Sequence, residues 1–268
     1  MHCCSAAKNL ENILMKEKSN NSADLIDLIY EKILEARYCT AFTGAGISTL
    51  SGIPDFRGKD GIYKNPGLSE KIFDLKYFLI DPKIFYEGAS SLIYKLDEKT
   101  PSIVHLVLSK LERKSMLKAL ITQNIDLLHQ KAGSKNILEI HGSPETHYCL
   151  NCNGVSLSYD EASAIINRGE MPQCPKCGKI LKPAITFFGE NLPEKAMNEA
   201  IRHAELTDLM LVLGTSLSVF PAASIPQICL KNGGEIIIVN NMHTFLDEYA
   251  IIHCEDLEIV FERLKQLI

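Results

Sequence analysis

Five short runs of the chain are almost continuously apolar: residues 38–43, 119–122, 137–140, 209–213 and 236–239. A strand wet on one face alternates apolar and polar side chains, whereas a strand covered on both faces reads as an unbroken apolar run. Between the runs stand helical patterns. Ile103, Leu106, Val107, Leu108 and Leu111 recur at helical spacing, as do Leu257, Val260, Phe261 and Leu264, and a further helix covers about 194–205. Strands alternating with helices predict an α/β fold with a doubly wound, mostly parallel, Rossmann-like sheet.

The rest of the chain divides around that pattern. Residues 1–21 are polar and mixed and read as an N-terminal arm. A helix begins near Ser22 or Asp24, either a good N-cap, with Leu25, Ile26, Ile29, Ile33 and Leu34 on one face. Two regions break the alternation. Residues 55–100, rich in Gly, Tyr, Phe and Lys, suggest a loop followed by a helical module, and 147–181 carry two cysteine pairs and little apolar content. The expected division is an arm at 1–21, a Rossmann-like domain at 22–146 and 182–268, and an inserted small module at 147–181. A chain of 268 residues is long enough for one such domain with an insert.

Charge and cysteine usage narrow the function classes. A net charge of -5 gives no general attraction to nucleic acid or anionic lipid, so direct nucleic-acid binding is not expected. Residues 209–230 lack formal charge and are long enough to span a bilayer, but Gly214, Pro221 and Pro226 break them into a strand, a polar loop and a short helix. No membrane partner is expected. The N-terminus lacks the basic start and apolar core of a secretory signal. Nine cysteines, an odd number, fit a reducing compartment better than a disulfide framework, so an intracellular, cytoplasmic home is expected.

Cys149-Leu-Asn-Cys152 and Cys174-Pro-Lys-Cys177 stand 21 residues apart, each pair closely followed by glycine. Two such turns can bring four thiolates into a tetrahedron, the geometry of Zn²⁺, and four sulfur ligands leave no open position for chemistry. One structural zinc per chain is expected; redox dithiols are the bland alternative. The segment Thr43-Gly44-Ala45-Gly46-Ile47-Ser48 follows the first strand run. Its glycines permit a tight turn and a close backbone approach to a pyrophosphate, although Thr49 takes the place of the usual third glycine. Taken alone, this loop is as readily a plain strand-to-helix turn. Ser51-Gly52-Ile53-Pro54-Asp55-Phe56-Arg57 then sets a carboxylate, an aromatic ring and a guanidinium just beyond it.

Together these segments resemble the first signature of the sirtuins. Further matches are Thr122-Gln123-Asn124-Ile125-Asp126, His141-Gly142, the cysteine pairs, Phe188-Gly189-Glu190-Asn191-Leu192-Pro193, Gly214-Thr215-Ser216 and Val239-Asn240, over about 22–268. The resemblance implies an NAD-dependent protein lysine deacylase. NAD, as a consumed co-substrate, would meet Gly44, Ala45, Gly46, Ser48, Asp55, Phe56, Arg57, Gln123, Asn124, Asp126, His141, Gly214, Thr215, Ser216 and Asn240. Without the resemblance, the Asn124–Asp126 pair is equally an ordinary helix cap, and a lone histidine is more often a satisfied core or surface residue.

By similarity, His141 is the catalytic base and Asn124 a second catalytic residue, while Thr186, Phe187, Phe188 and Gly189 hold the acyl-lysine and pair with an extended peptide. Many sirtuins carry Val where this chain has Thr186, and the family uses mainly the backbone carbonyl there. The implied chemistry is attack of the acyl oxygen on the nicotinamide ribose, loss of nicotinamide, and release of free lysine and O-acyl-ADP-ribose. Succinyl-preferring sirtuins place Tyr and, three positions on, Arg in the helical module; here Tyr86 is followed by Ala89, which favours acetyl or longer neutral acyl groups. The expected partner is an acyl-lysine protein or peptide, met by a monomer. Two rival readings use the same fold: a protein ADP-ribosyltransferase and a hydride-transferring dehydrogenase. A zinc-ribbon adaptor for nucleic acid would need a basic surface that 147–181 does not have.

Overall fold

The computed structural model describes residues 22–268 apart from 59–60, 65–69 and 153–154. The arm read at 1–21 lies outside the described residues. The five apolar runs become strands β1 (Cys39–Thr43), β2 (Ala119–Thr122), β3 (Ile137–Glu139), β7 (Leu209–Leu213) and β8 (Glu235–Val239), joined at the edge by β9 (Ile252–Cys254). All neighbours pair in parallel in the order β3-β2-β1-β7-β8-β9. The chain thus winds outward from β1 in one direction, returns, and winds outward from β7 in the other, placing its switch point between β1 and β7. Crevices at such a point, beyond the carboxyl ends of the strands, are where doubly wound sheets bind ligands.

Both sheet faces are covered, which is why the strands read as unbroken apolar runs. Leu209, Leu211 and Leu213 pack toward one core with Ile26, Ile29, Val107, Leu111 and Phe261. Met210 and Val212 point the other way, toward Ile121, Ala200, Ala204, Ile225 and Ile238. Helices Ser22–Glu35, Ile103–Arg113 and Leu257–Leu267 contribute to the first layer; Glu194–Leu206 and Ile225–Lys231 make the second. On the first of these helices Ile26, Ile29 and Ile33 are buried, but Leu34, one position past the stripe, is 57% exposed and does not join the face expected of it. No helix among the described residues is long and apolar enough to cross a membrane, and 209–230 resolve into β7, a loop and the helix Ile225–Lys231.

A second, antiparallel sheet has the order β5-β4-β6, with β4 at Gly142–Tyr148, β5 at Ser156–Ser158 and β6 at Lys182–Ile185. Its strands lie on both sides of the cysteine pairs. Between it and the helices Leu75–Ile80 and Lys83–Ile93 sits an aromatic core of Phe73, Phe78, Phe85, Tyr86, Tyr94 and Phe187. Edge-on contacts such as Phe78–Phe187, 5.5 Å between centroids at 82°, join the helical module to the segment that follows β6.

Candidate active site

A cavity of about 350 Å³ opens at the switch point. Its wall contains the glycine loop (Gly44, Ala45, Gly46), the loop residues Asp55, Phe56 and Arg57, Gln123 and Asn124 beyond β2, and His141 beyond β3. It is completed by Thr186, Phe187, Phe188 and Gly189 beyond β6 and by Gly214, Thr215 and Ser216 beyond β7. The segments beyond β1, β2, β3 and β7 converge because parallel strands all end on the same edge of the sheet.

Three of the residues expected to meet NAD stand elsewhere. Ser48 and Asp126 line a recess of about 40 Å³ that shares Ala45, Phe56 and Asn124 with the main cavity. Asn240 is buried behind the wall, its amide donating to the Met242 carbonyl at 2.7 Å, and it is Met242 that faces the cavity. Other wall residues carry no signal in the sequence, among them Tyr63, Phe73, Ser218, Val219, Phe220 and Met242. Nothing in their spacing marks them, since each is placed by a loop or, as with Tyr63 and Phe73, by a short 3₁₀ turn.

Tyr86 and Ala89 are not on the wall at all. Both are buried, and the Tyr86 hydroxyl donates to the Leu181 carbonyl at 2.6 Å. Burial pushes that phenol well above its usual range. With its hydroxyl bonded to a backbone carbonyl and no cation at position 89, this pair brings no charged partner for an acidic acyl group.

The glycine loop differs from the expected one in two respects. It leads into a 3₁₀ helix, Ala45–Ser51, rather than an α-helix. Its N–H groups are also partly engaged: Gly44 donates to the Leu213 carbonyl at 3.0 Å and Gly46 to the Gly214 carbonyl at 2.8 Å. The glycines serve contact between two loops. A Cβ on Gly46 would stand 2.8 Å from the Gly214 Cα, and one on Gly214, which has φ +59°, would stand 2.5 Å from the Ile47 nitrogen. Gln123 joins the same floor, its amide donating to Thr215 Oγ1 at 2.9 Å.

His141 is held by one bond, between Nδ1 and the Gln123 carbonyl at 2.9 Å. A carbonyl only accepts, so Nδ1 carries the proton and Nε2 its lone pair. Burial pulls the imidazole pKa below its ordinary value, with the Gln123 bond opposing. The ring is thus a neutral proton acceptor in the cavity wall. Beside it, Asn124 donates to the Gly44 carbonyl and to Ser48 Oγ, both at 3.1 Å, and Ser48 donates to Asp126 at 2.6 Å. Burial raises the Asp126 pKa, opposed by the bond from Ser48. This chain fixes Asn124 and the recess behind it before any ligand arrives.

Backbone valences beyond β6 are distributed unevenly. Thr186 N–H donates to the His141 carbonyl at 2.8 Å, Phe188 N–H to Phe73 at 2.7 Å, and the Phe188 carbonyl accepts from Leu75 N–H at 3.1 Å. The Thr186 carbonyl and Gly189 N–H have no partner among the described residues. Phe187 is fully buried in the aromatic core, whereas Phe188 is 40% exposed.

The sulfurs of Cys149, Cys152, Cys174 and Cys177 all lie within 4.8 Å of one another. The Lys179 N–H above all, with Cys152 second, pulls the Cys177 thiol down to about 6, so that it is readily a thiolate. A convergent four-sulfur set suits Zn²⁺. None of the four lines the cavity, which assigns such a metal to the fold and not to the reaction.

A family model described as the Sir2 family matches residues 44–221. An NAD-dependent protein deacetylase of Thermotoga maritima is 44% identical, over 81% of this chain and 87% of the relative. An NAD-dependent protein deacylase of Archaeoglobus fulgidus is 41% identical, over 81% and 85% respectively. Among solved structures, a Sir2 protein with a deacetylated p53 peptide and 3'-O-acetyl ADP-ribose superposes with a TM-score of 0.83 at 40% identity, covering 91% of this chain and 96% of the other. A Sir2–p53 peptide–NAD⁺ complex gives 0.81 at 38%, covering 90% and 96%.

Proposed function

The chain belongs to the Sir2 family, and from that premise we propose that it removes acetyl or longer neutral acyl groups from protein lysines at the expense of NAD. The observation that carries the reading is the convergence of three features on one cavity: the paired glycine loops, a neutral imidazole, and a backbone segment with unspent hydrogen-bonding groups. NAD supplies the ADP-ribosyl group that accepts the acyl chain and whose bond to nicotinamide is broken. The chain's own residues bind, orient and move protons around that event.

Gly44, Gly46 and Gly214 hold two loops in contact, giving a floor flat enough for a dinucleotide, with Thr215 and Ser216 continuing it. Asp55, Phe56 and Arg57 stand on the wall of the same cavity, and Arg57 lies 5.5 Å from the centre of the Tyr63 ring. Asn124, anchored by Gly44 and Ser48, and Asp126 in the adjoining recess are suited to hold a carboxamide away from water. His141 Nε2 takes a proton from a ribose hydroxyl, making it a nucleophile toward the activated acyl group, and Gln123 fixes the tautomer that allows this. The Thr186 carbonyl and Gly189 N–H are positioned to pair with an extended acyl-lysine peptide.

The test is mass spectrometry of products from acyl-lysine peptides incubated with NAD. Nicotinamide, free lysine and O-acyl-ADP-ribose are expected, and His141→Ala should cut turnover by roughly 10²–10⁴ while NAD binding persists. ADP-ribose retained on protein would favour the transferase reading, and full turnover by the variant would remove His141 from its role.

A further inference from the structure

Lys182, the first residue of β6, is completely buried, and no other lysine or arginine among the described residues is. Its ammonium donates to the Ile185 carbonyl at 2.7 Å, to Glu190 Oε2 at 2.8 Å and to the Pro183 carbonyl at 3.2 Å, which uses all three of its N–H groups. It also stands 4.1 Å from the centre of the Phe187 ring, within cation–π range. The same Glu190 oxygen accepts from Phe187 N–H at 2.7 Å, and Glu190 N–H returns a bond to the Phe187 carbonyl at 3.0 Å. One cation therefore touches residues 183, 185, 187 and 190, spanning the segment whose front lines the cavity.

Stability does not account for such a group. Desolvating two charges costs roughly as much as their attraction returns, and apolar replacements of buried pairs are often neutral. Burial pulls the Lys182 pKa down, and only Glu190 pushes it back. What the pair does specify is a conformation. With Phe187 N–H and C=O turned onto Glu190, and Phe188 bonded to Phe73 and Leu75, the backbone groups of 186–189 left over among the described residues are the Thr186 carbonyl and both groups of Gly189.

We propose that Lys182 is a positioning residue: from behind, and through Glu190, it holds 185–190 as a preformed edge on which the extended acyl-lysine peptide docks. The proposal rests on the deacylase reading for its ligand but not for its geometry. A preordered edge spares the peptide the cost of ordering it, so its loss should appear in peptide affinity and leave the dinucleotide floor alone.

Three variants test this: Lys182→Met, Lys182→Arg, and the double variant Lys182→Met with Glu190→Gln. The double variant leaves no unpaired buried charge and keeps an acceptor for Phe187 N–H, so its urea midpoint should return toward wild type. Its KM for an acetyl-lysine peptide should nonetheless stay roughly tenfold raised, with the KM for NAD within about twofold of wild type. Amide exchange at 186–190 should quicken in both Met variants, and Lys182→Arg should fall nearer wild type in every readout. A stably folded double variant with wild-type peptide KM and amide protection overturns the proposal, as does a proportionate rise in both KM values. If the wild-type protein turns over no acyl-lysine peptide, the deacylase reading fails, while amide exchange still decides whether Lys182 orders the edge.

Discussion

Gly214→Ala puts the contact between the two loops to a quantitative test. Gly214 follows β7 with φ +59°, and an added Cβ would lie 2.5 Å from the Ile47 nitrogen and 2.8 Å from the Gly46 carbonyl carbon. Both neighbours are backbone, and the bond from Gly46 N–H to the Gly214 carbonyl at 2.8 Å ties them down, so the overlap cannot be relieved by turning a side chain. Two costs arise. An L-residue in left-handed backbone loses about 1–2 kcal/mol, and forcing packed atoms apart costs about 1–3 kcal/mol. Gly169 supplies the control: its φ is +79°, yet a Cβ there meets nothing within 4 Å, so Gly169→Ala incurs only the first cost. In urea unfolding at fixed zinc, with slope m unchanged, Gly214→Ala should lose about 2–5 kcal/mol and Gly169→Ala about 1–2 kcal/mol. NAD binding should weaken in the first variant and persist in the second. Equal losses in the two variants, or a Gly214→Ala midpoint indistinguishable from wild type, would show that the loops do not pack backbone to backbone.

Two further outcomes follow from the site. Because burial lowers the His141 pKa and the proposed base works as the neutral ring, kcat/KM for an acetyl-lysine peptide should be flat at neutral pH and fall on acidification, with its midpoint below the ordinary histidine value of about 6.5; the same shift means the folded state holds fewer protons there, so His141 adds to the loss of stability as pH falls. An acid limb at or above the ordinary value would contradict the burial argument. Cys174→Ser should lower bound zinc from one per chain and drop the melting temperature, as should a strong chelator on the unmodified protein, since such metal binding is coupled to folding; a variant free of zinc that melts like the wild type would remove the metal from the fold.

Legibility in the sequence followed the strength of a single physical signal, burial on both faces. β1, β2, β7 and β8 are such strands and announce themselves as apolar runs, and β3 could be read although its residues are only partly covered. β9, only three residues with His253 in the middle, could not be read that way. Nor could β4, whose sequence Gly-Ser-Pro-Glu-Thr-His-Tyr has no apolar alternation; it pairs with β5 and β6, strands that lie between and after the cysteine pairs. The cavity was legible where motifs end strands, as at Gln123, Asn124 and His141, and illegible where loops and short 3₁₀ turns supply the wall, as at Met242 and Tyr63.

Lys182 marks the limit of this kind of reading. A lysine at the head of a strand reads as a residue bound for solvent, and charged groups are almost never fully buried without a partner. Here the partner, Glu190, comes from beyond the strand's end and reaches back past Phe187, buried in the aromatic core, and Phe188, bonded to Phe73. Sequence spacing could not announce that pairing, since it depends on where a turn folds and not on any periodicity. The pairing is thus a product of tertiary structure, and it lies behind the part of the cavity wall formed by 185–190.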